Sequence, residues 1–179
     1  MRRLVRALSC AAMLVAAALL LPAPSPGQTS PAPRPKPCSA PEDRQFDFWI
    51  GSWSVTANGT TKVVGTNDVT REFGGCVLQE HWTAGAFAGT SVNHYDTARH
   101  VWHQTWVDSG GNLLLLDGGV RNGAMVMSGT HPGARGAKVI ERITWTHNAD
   151  GTVRQLWQAS NDGGATWSTS FDGIYHRVG

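Results

Sequence analysis

Basic residues are scarce in most of this chain. Five of its 15 lysines and arginines lie before residue 38, at Arg2, Arg3, Arg6, Arg34 and Lys36, whereas all 13 acidic residues come later. Residues 38–179 therefore carry 10 basic and 13 acidic side chains, a formal net charge of −3, although the whole chain is +2. A mildly acidic region without a basic run gives no electrostatic basis for binding nucleic acid or an anionic membrane surface.

Long hydrophobic runs are also missing, except near the N-terminus. Residues 7–21 are almost entirely apolar and follow three arginines. Such a run is short for a bilayer span, and the small residues Ser25 and Gly27 suit cleavage before Gln28. We predict that residues 1–27 are a secretory signal peptide, and that the mature protein is periplasmic or secreted, without a membrane contact.

Proline nearly disappears after the start of the chain. Eight of the nine prolines lie at or before Pro41, and only Pro132 comes later. Residues 28–37 are therefore predicted to form an extended, proline-rich linker. Residues 38–179 are long enough for one globular domain.

Cysteine is rare as well, with three in the chain. Cys10 would leave with the signal peptide, so Cys38 and Cys76 remain. An even number of cysteines in an oxidising compartment predicts one disulfide between them. The alternative is a pair of buried free thiols.

Helix signals are few in the domain. The sequence from Ser39 to Glu42 has the form of a capping box with proline in the first turn, which predicts a short helix ending near Trp49. Beyond it, turn-forming pairs such as Asn58-Gly59 recur at intervals of about ten residues. The segments between these turns are rich in Val, Ile, Thr and Trp, and they predict strands at 53–57, 61–65, 69–73, 77–82, 91–95, 101–107, 113–116, 124–128, 139–146, 152–160 and 167–175.

Short loops between about ten strands favour antiparallel neighbours and an all-β fold. A closed antiparallel meander β-barrel leaves no exposed strand edge, and we predict this architecture. A two-sheet β-sandwich is the alternative. The clearest hairpin spans 139–157, with its turn at 148–151.

Residues 76–108 have the most informative pattern in the chain. Alternate side chains of a strand point to opposite faces, so each of three strands here places every second residue on one face. That face combines aromatic with amide or carboxyl side chains: Leu78, Glu80, Trp82, Ser91, Asn93, Tyr95, Trp102, Gln104 and Trp106. Aromatic walls with a few polar groups between them are typical of a ligand-binding interior, although tryptophans also form ordinary cores.

Several motifs resemble known families. Gly51-Ser52-Trp53 after a short helix resembles the opening of the calycin superfamily, which includes lipocalins, fatty-acid-binding proteins and the haem-binding nitrobindins. That resemblance implies that Trp53 lies at the barrel base with Arg177 stacked across it. FDFWIGSW, GGCVLQEHW, WHQTWVD and TWSTSFDGIYHR together look like a family of secreted bacterial domains of unknown function, usually placed beside the calycins. This second resemblance covers nearly the whole domain and implies a fold without naming an activity.

Glu80 is the most informative candidate residue, because a carboxyl on an inward face needs a partner or takes a raised pKa. Gln104 and Gln155 are predicted as further polar anchors, and Trp157 as part of the wall. Our main hypothesis is a non-enzymatic barrel that binds a small, largely apolar molecule. The alternatives are an enzyme with Glu80 as general acid or base, and a structural network that holds the strands in register.

The histidines do not predict a metal site. His100 and His103 are three residues apart and would project to opposite faces of a strand, while His81 and His94 alternate with the inward residues. His176 lies in the last predicted strand, where nitrobindin-like barrels carry their haem ligand. Haem or gas binding through a histidine is therefore a minor alternative; no cofactor is predicted.

Ser160 to Trp167 reads SNDGGATW and is similar to the Asp-box of sialidase propellers and other extracellular proteins. Its chemistry is local, because the Asp162 carboxylate accepts hydrogen bonds within the turn and Trp167 packs against the hairpin. We predict a structural role for both residues.

Overall fold

The computed structural model describes residues 36–178 of the protein. The predicted signal peptide (1–27) and most of the predicted linker (28–37) lie outside the described residues. Ten strands make up most of the domain: β1 (Gly51–Ala57), β2 (Val63–Glu72), β3 (Val77–Ala84), β4 (Phe87–Asp96), β5 (Val101–Asp108), β6 (Leu113–Arg121), β7 (Ala124–Pro132), β8 (Lys138–His147), β9 (Val153–Ser160) and β10 (Ser168–Arg177).

The ten strands form a closed antiparallel barrel. Each strand pairs with the next one along the chain, and β10 pairs with β1 through a register that sets Trp53 opposite Arg177. This closure confirms the meander barrel and not the sandwich, and it leaves no strand edge unpaired in the sheet. The predicted hairpin at 139–157 is confirmed as β8 and β9, with a turn closed by hydrogen bonds between Asn148 and Thr152.

Two sequence predictions about strand boundaries are wrong. The segments predicted at 61–65 and 69–73 are one strand, β2, which continues through the buried Asn67. The segment 83–90, which separates the strands predicted at 77–82 and 91–95, is mostly strand as well, because β3 and β4 are joined by a tight turn in which Gly85 has φ +62°. In both places pairing with neighbouring strands outweighs weak local strand propensity.

The predicted N-terminal helix is a pair of short 3₁₀ turns, at Pro41–Arg44 and Asp47–Trp49. The predicted cap is displaced by one residue, since Asp43 Oδ2 accepts a hydrogen bond from the backbone N–H of Ala40 at 3.0 Å. These turns place Phe46 and Trp49, both fully buried, inside one end of the barrel.

Aromatic packing closes that end. The Phe46 ring stacks on Trp49 at 4.9 Å between centroids and meets Trp145 edge-on at 5.2 Å. The Trp53 indole N–H donates to the backbone oxygen of Trp49 at 3.0 Å. We call this the closed end of the barrel.

The predicted partnership of Trp53 and Arg177 is present. The Arg177 guanidinium lies 4.4 Å from the Trp53 ring centroid, and its Nη1 donates to the Ile50 backbone oxygen at 2.9 Å. Gly51 is required here, because it has φ +147° and a Cβ at this position would lie 2.2 Å from Arg177 Nη1. The Gly-x-Trp motif therefore has a structural role.

The predicted disulfide between Cys38 and Cys76 is confirmed. It joins the start of the domain to the residue before β3, across a sequence separation of 38. Arg44 strengthens the same junction, since its Nη2 donates to the backbone oxygens of Cys38 and Gly75.

The Asp-box forms the turn between β9 and β10, as predicted. Asp162 accepts hydrogen bonds from the Thr166 backbone at 2.9 Å and from the Ser160 hydroxyl at 2.8 Å. The Thr166 hydroxyl also donates to Asp162, and this bond has the largest effect on the carboxyl. Together the bonds hold the pKa of Asp162 well below its ordinary value. The Trp167 ring packs under the Arg142 guanidinium at 3.8 Å.

No helix within residues 36–178 is long and apolar enough to cross a membrane.

Candidate functional site

A cavity of about 290 Å³ occupies the barrel interior between the closed end and the loops that follow β3, β5 and β9. Exposed residues of β4, the β5–β6 loop and β10 mark its mouth, at Phe87, Asn112 and Ser170. Its remaining lining residues are Glu80, Trp82, Gln104, Trp106, Asp108, Leu114, Ile143, Trp145, Gln155, Trp157, Phe171 and Tyr175.

Two tryptophans of the wall pack against glycines of neighbouring strands. A Cβ at Gly89 would come within 2.2 Å of the Trp106 ring, and one at Gly65 within 2.6 Å of the Trp82 ring. From β3 the Trp82 ring also meets Phe171 of β10 edge-on, with 5.7 Å between the ring centroids. A cavity remains between these large side chains.

Glu80 is the only glutamate among the described residues of the cavity lining, and it is anchored by neighbouring strands. The Ser91 hydroxyl on β4 donates to Glu80 Oε2 at 2.5 Å. Ser91 in turn accepts from Asn93 Nδ2 at 2.8 Å, and more weakly from Gln104 Nε2 at 3.4 Å. With its lone pairs occupied by N–H donors, the Ser91 hydroxyl has to direct its hydrogen towards Glu80.

The same network fixes the amide of Gln104. Asn93 Nδ2 also donates to the backbone oxygen of Leu78 at 3.2 Å, so its Oδ1 is left to accept from Gln104 Nε2 at 2.8 Å. Gln104 therefore uses its nitrogen in the wall and keeps its oxygen for the cavity. Among the described residues we find no donor bonded to Glu80 Oε1 or Gln104 Oε1.

Burial raises the pKa of Glu80 to about 7, against an ordinary value of 4.5. The hydrogen bond from Ser91 and the nearby Asn67 amide act in the opposite direction but do not cancel the loss of hydration. The Asn67 amide is buried and has no hydrogen-bond partner among residues 36–178, but it lies close enough to Glu80 to lower the pKa of its carboxyl. When Glu80 is protonated, Oε2 still accepts the hydrogen bond from the Ser91 hydroxyl, so the acid proton of Glu80 lies on Oε1.

Gln155 is a second polar point in the wall. Its Oε1 accepts from the Tyr175 hydroxyl at 2.5 Å and from Trp145 Nε1 at 3.1 Å. Burial and then the nearby Glu80 charge raise the pKa of Tyr175, so its hydroxyl stays protonated and acts as a donor. These bonds hold two aromatic rings at the boundary between the cavity and the closed end.

Asp108 stands at the mouth. Burial tends to raise its pKa, but hydrogen bonds from Trp106 and from Asn112 and Gly110 together hold the pKa below its ordinary value. Trp106 Nε1 donates to Asp108 Oδ2 at 3.1 Å, and the Gly110 backbone donates to Oδ1 at 2.8 Å. The mouth therefore carries a fixed negative charge that also orients Trp106.

Trp157 is oriented in a similar way by Glu141, which is also buried. Its indole N–H donates to Glu141 Oε2 at 2.6 Å, while His131 Nε2 lies 3.0 Å from Glu141 Oε1. The hydrogen bond with Glu141 raises the pKa of His131. Glu141 shares the inward face of β8 with Ile143 and Trp145, and it fixes Trp157 without lining the cavity itself.

Nine residues are predicted to bind the ligand: the seven aromatic, amide and carboxyl residues of the inward face of 76–108, together with Gln155 and Trp157. Six of the nine line the cavity: Glu80, Trp82, Gln104, Trp106, Gln155 and Trp157. The other three point into the barrel but do not line the cavity. Asn93 belongs to the hydrogen-bond network, and Trp102 packs on Phe46 in the closed end, where its indole donates to Gln45 Oε1 at 3.2 Å. Tyr95 packs beside Trp102.

Sequence reasoning missed the part of the wall contributed by the second half of the chain. Ile143 and Trp145 alternate on β8, and Phe171 and Tyr175 share a face of β10. The two-residue period that identified β3 to β5 is present in both strands and could have found them. Phe87, Asp108, Asn112 and Ser170 lie beside turns, where periodicity gives no signal.

The histidines do not fit a haem inside this cavity. His176 is exposed on the outer face and hydrogen-bonds the Thr56 hydroxyl at 3.1 Å, because Arg177 takes the inward position. His94 and His103 are neighbours on the outer wall, with ring centroids 5.7 Å apart. None of the described lining residues is a histidine.

Comparison of the chain with protein-family models found no match, and a search of curated proteins found none either. The resemblance to calycins and to secreted bacterial domains therefore stays a prediction. The function has to be argued from the cavity itself.

Proposed function

We propose that this protein is a non-enzymatic, extracytoplasmic binding protein that holds a small, largely apolar molecule inside its barrel. The observation that carries the proposal is an open interior cavity with aromatic walls and a few polar groups. Two of these groups, Glu80 and Gln104, are held in the wall by hydrogen bonds with Ser91 and Asn93. Binding sites for small molecules have this make-up, whereas a structural core is filled.

The cavity volume limits the size of the ligand. At about 290 Å³ it lies near the lower end of the range for ligand pockets. A water molecule takes roughly 30 Å³ in the liquid, so the cavity has room for on the order of ten water-sized groups. A single ring with a short side chain fits this size better than a long-chain lipid.

The proposed compartment is supported by the disulfide between Cys38 and Cys76, because such bonds form and persist in oxidising environments. We also propose kinship with the calycins. The support for it is the closed meander barrel with N-terminal turns inside one end, and the Arg177 side chain stacked on Trp53.

Filling the cavity tests the proposal. Leu114 lines the cavity, whereas its neighbour Leu115 is half exposed on the outer face of β6. The variant Leu114→Trp should abolish ligand binding, and the matched variant Leu115→Trp should leave it intact. Four tryptophans line the cavity, so binding of single-ring probes is measured as a change in tryptophan fluorescence, with thermal unfolding as the check on folding.

Native mass spectrometry and an absorbance scan of the protein purified from the extracytoplasmic fraction complete the test. A small bound mass that is present with Leu115→Trp and missing with Leu114→Trp supports the proposal. Equal binding by the two folded variants would contradict it, and so would a Soret band.

Proton transfer by Glu80 is a second candidate function. The specific observation in its favour is a carboxyl with a pKa of about 7 in a cavity, with one oxygen unbonded among the described residues. A general acid or base works best when its pKa lies near the working pH. A probe turned over by the wild type and only bound by Glu80→Gln would favour this function; a probe recovered unchanged from both favours binding alone.

A further inference from the structure

We infer, on the basis of the proposed binding function, that the natural ligand of the cavity is a small organic cation: a protonated amine carried by a compact apolar body. Three independent properties of the lining point to a positive charge. They are the sign of its ionisable groups, the direction of its hydrogen bonds and its content of aromatic rings.

The ionisable groups of the lining are acidic. Glu80 lies deep in the interior and Asp108 at the mouth, and of the described lining residues none is a lysine, arginine or histidine. An anionic ligand would meet like charge at both positions and lack a counter-ion. A cation would be attracted to the mouth by Asp108 and paired inside by Glu80.

The hydrogen-bond network leaves acceptors facing the ligand. Glu80 and Gln104 both line the cavity and are only 4% and 2% exposed, so their side chains have little contact with bulk solvent. Ser91 and Asn93 occupy Glu80 Oε2 and the Gln104 nitrogen, which leaves two Oε1 atoms to accept. An ammonium group has three donors and no acceptor, and this is the complementary arrangement.

The aromatic rings supply the third property. Trp82 and Trp106 are two of the four tryptophans in the described lining of the cavity. The face of an indole carries negative charge density, and a cation within about 6 Å of it is stabilised, more strongly where water is excluded. An apolar body would pack on the same rings, so one site serves both parts of the ligand.

A matched pair of probes tests the inference. The probes 3-phenylpropylammonium and butylbenzene have the same shape and number of non-hydrogen atoms but differ in charge, and 3-phenylpropanoate provides the anion. Binding to the intact purified protein is measured by tryptophan fluorescence and by calorimetry at a pH of about 8, where Glu80 is ionised. We expect the cation to bind at least about tenfold more tightly than butylbenzene, and the anion to bind most weakly.

Two variants locate the source of the preference. Glu80→Gln keeps an acceptor for Ser91 but removes the interior charge, so the preference for the cation should fall below about threefold. Asp117→Asn removes a carboxylate from the outer face of β6, where it bonds Arg99, and should retain the full preference.

The outcomes separate this inference from the function on which it rests. Butylbenzene could bind as tightly as 3-phenylpropylammonium or more tightly, with binding abolished by Leu114→Trp. In that case the ligand is not a cation, but the proposed binding function still holds. Equal loss of preference in Glu80→Gln and Asp117→Asn also overturns the assignment to this cavity. If no probe binds, the proposed binding function fails, and the inference fails with it.

Discussion

At the scale of single residues, Glu80 combines a structural and a functional arrangement. Ser91 bonds one carboxyl oxygen, as expected for a group that holds strands together, whereas the other oxygen is left for the cavity. A carboxyl in this position is costly when ionised, because burial removes its hydration. The cost of ionising Glu80 can be measured as a dependence of stability on pH.

The predicted pH dependence follows from the raised pKa. Between pH 4.5, the ordinary value, and about pH 7, the folded protein binds more protons at Glu80 than the unfolded chain does. The contribution of Glu80 to the free energy of unfolding is therefore full below this window, falls through it and is lost above it. A shift of this size corresponds to roughly 3 kcal/mol.

Glu80→Gln should remove that dependence, because an amide mimics the protonated acid and cannot ionise. Urea unfolding of wild type and variant at several pH values gives the difference in stability, which should move in favour of the variant by about 3 kcal/mol as the pH rises. Glu72→Gln, at an exposed glutamate of β2, is the control for removing a carboxyl from the surface. A pH-independent difference for Glu80→Gln would show that the buried acid has an ordinary pKa.

Residue alternation alone was enough to find the inward face of β3, β4 and β5. All nine side chains assigned to it, from Leu78 to Trp106, point into the barrel. Alternation could not tell which of them line the cavity, because depth along the barrel depends on strand tilt and on what fills each end. Trp102 does not line the cavity, because Phe46, which lies outside the strands, packs against it.

At the scale of elements, two glycines make room for tryptophan rings of the cavity wall. Because Gly89 on β4 has no side chain, the Trp106 ring of β5 occupies the space beside it. The predicted strands leave a gap at 83–90, which contains Gly89, since glycine is a weak strand former. Their role becomes visible only in the pairing, where each provides space for a ring on the next strand.

Gly89→Ala should therefore narrow the cavity. The added Cβ would lie 2.2 Å from the Trp106 ring, and the ring has to move towards the barrel axis. We expect probe affinity to fall by about tenfold or more, with a loss of stability of about 1–3 kcal/mol from overpacking. Fluorescence titration with 3-phenylpropylammonium measures the first effect, and urea unfolding the second.

The control is Gly119→Ala on β6, where an added Cβ would meet nothing within 4 Å. Its probe affinity should match that of the wild type. Unchanged affinity in a folded Gly89→Ala protein would mean that Trp106 does not form the wall of the binding site.

At the scale of the whole molecule, the barrel closes around the N-terminal 3₁₀ turns, Pro41–Arg44 and Asp47–Trp49, which we call the plug. The disulfide joins the segment before the plug to the start of β3. Strand number, antiparallel order and the Cys38–Cys76 bond were predictable, because turn signals, loop lengths and the cysteine count specify them. The plug was predicted as a helix but consists of 3₁₀ turns. Tertiary packing of Phe46 and Trp49 decides the local conformation there, and no local pattern encodes it.

Removing the disulfide should destabilise the domain without changing the cavity. Closing a loop with a sequence separation of 38 restricts the unfolded chain, and the double variant Cys38→Ser/Cys76→Ser should lose about 3–4 kcal/mol. Urea unfolding measures this loss, and wild type under reducing conditions is the matched control. Unchanged stability would show that Arg44 and the aromatic packing hold the plug without the bond.

An NMR titration of the ¹³C-labelled carboxyl group of Glu80 tests whether this residue is the buried polar anchor of a ligand cavity. We expect a pKa of about 7 in the free protein. Saturation with 3-phenylpropylammonium should lower this pKa, because a bound cation favours the ionised acid. If the carboxyl titrates near 4.5 and does not respond to the probe, Glu80 is not the anchor.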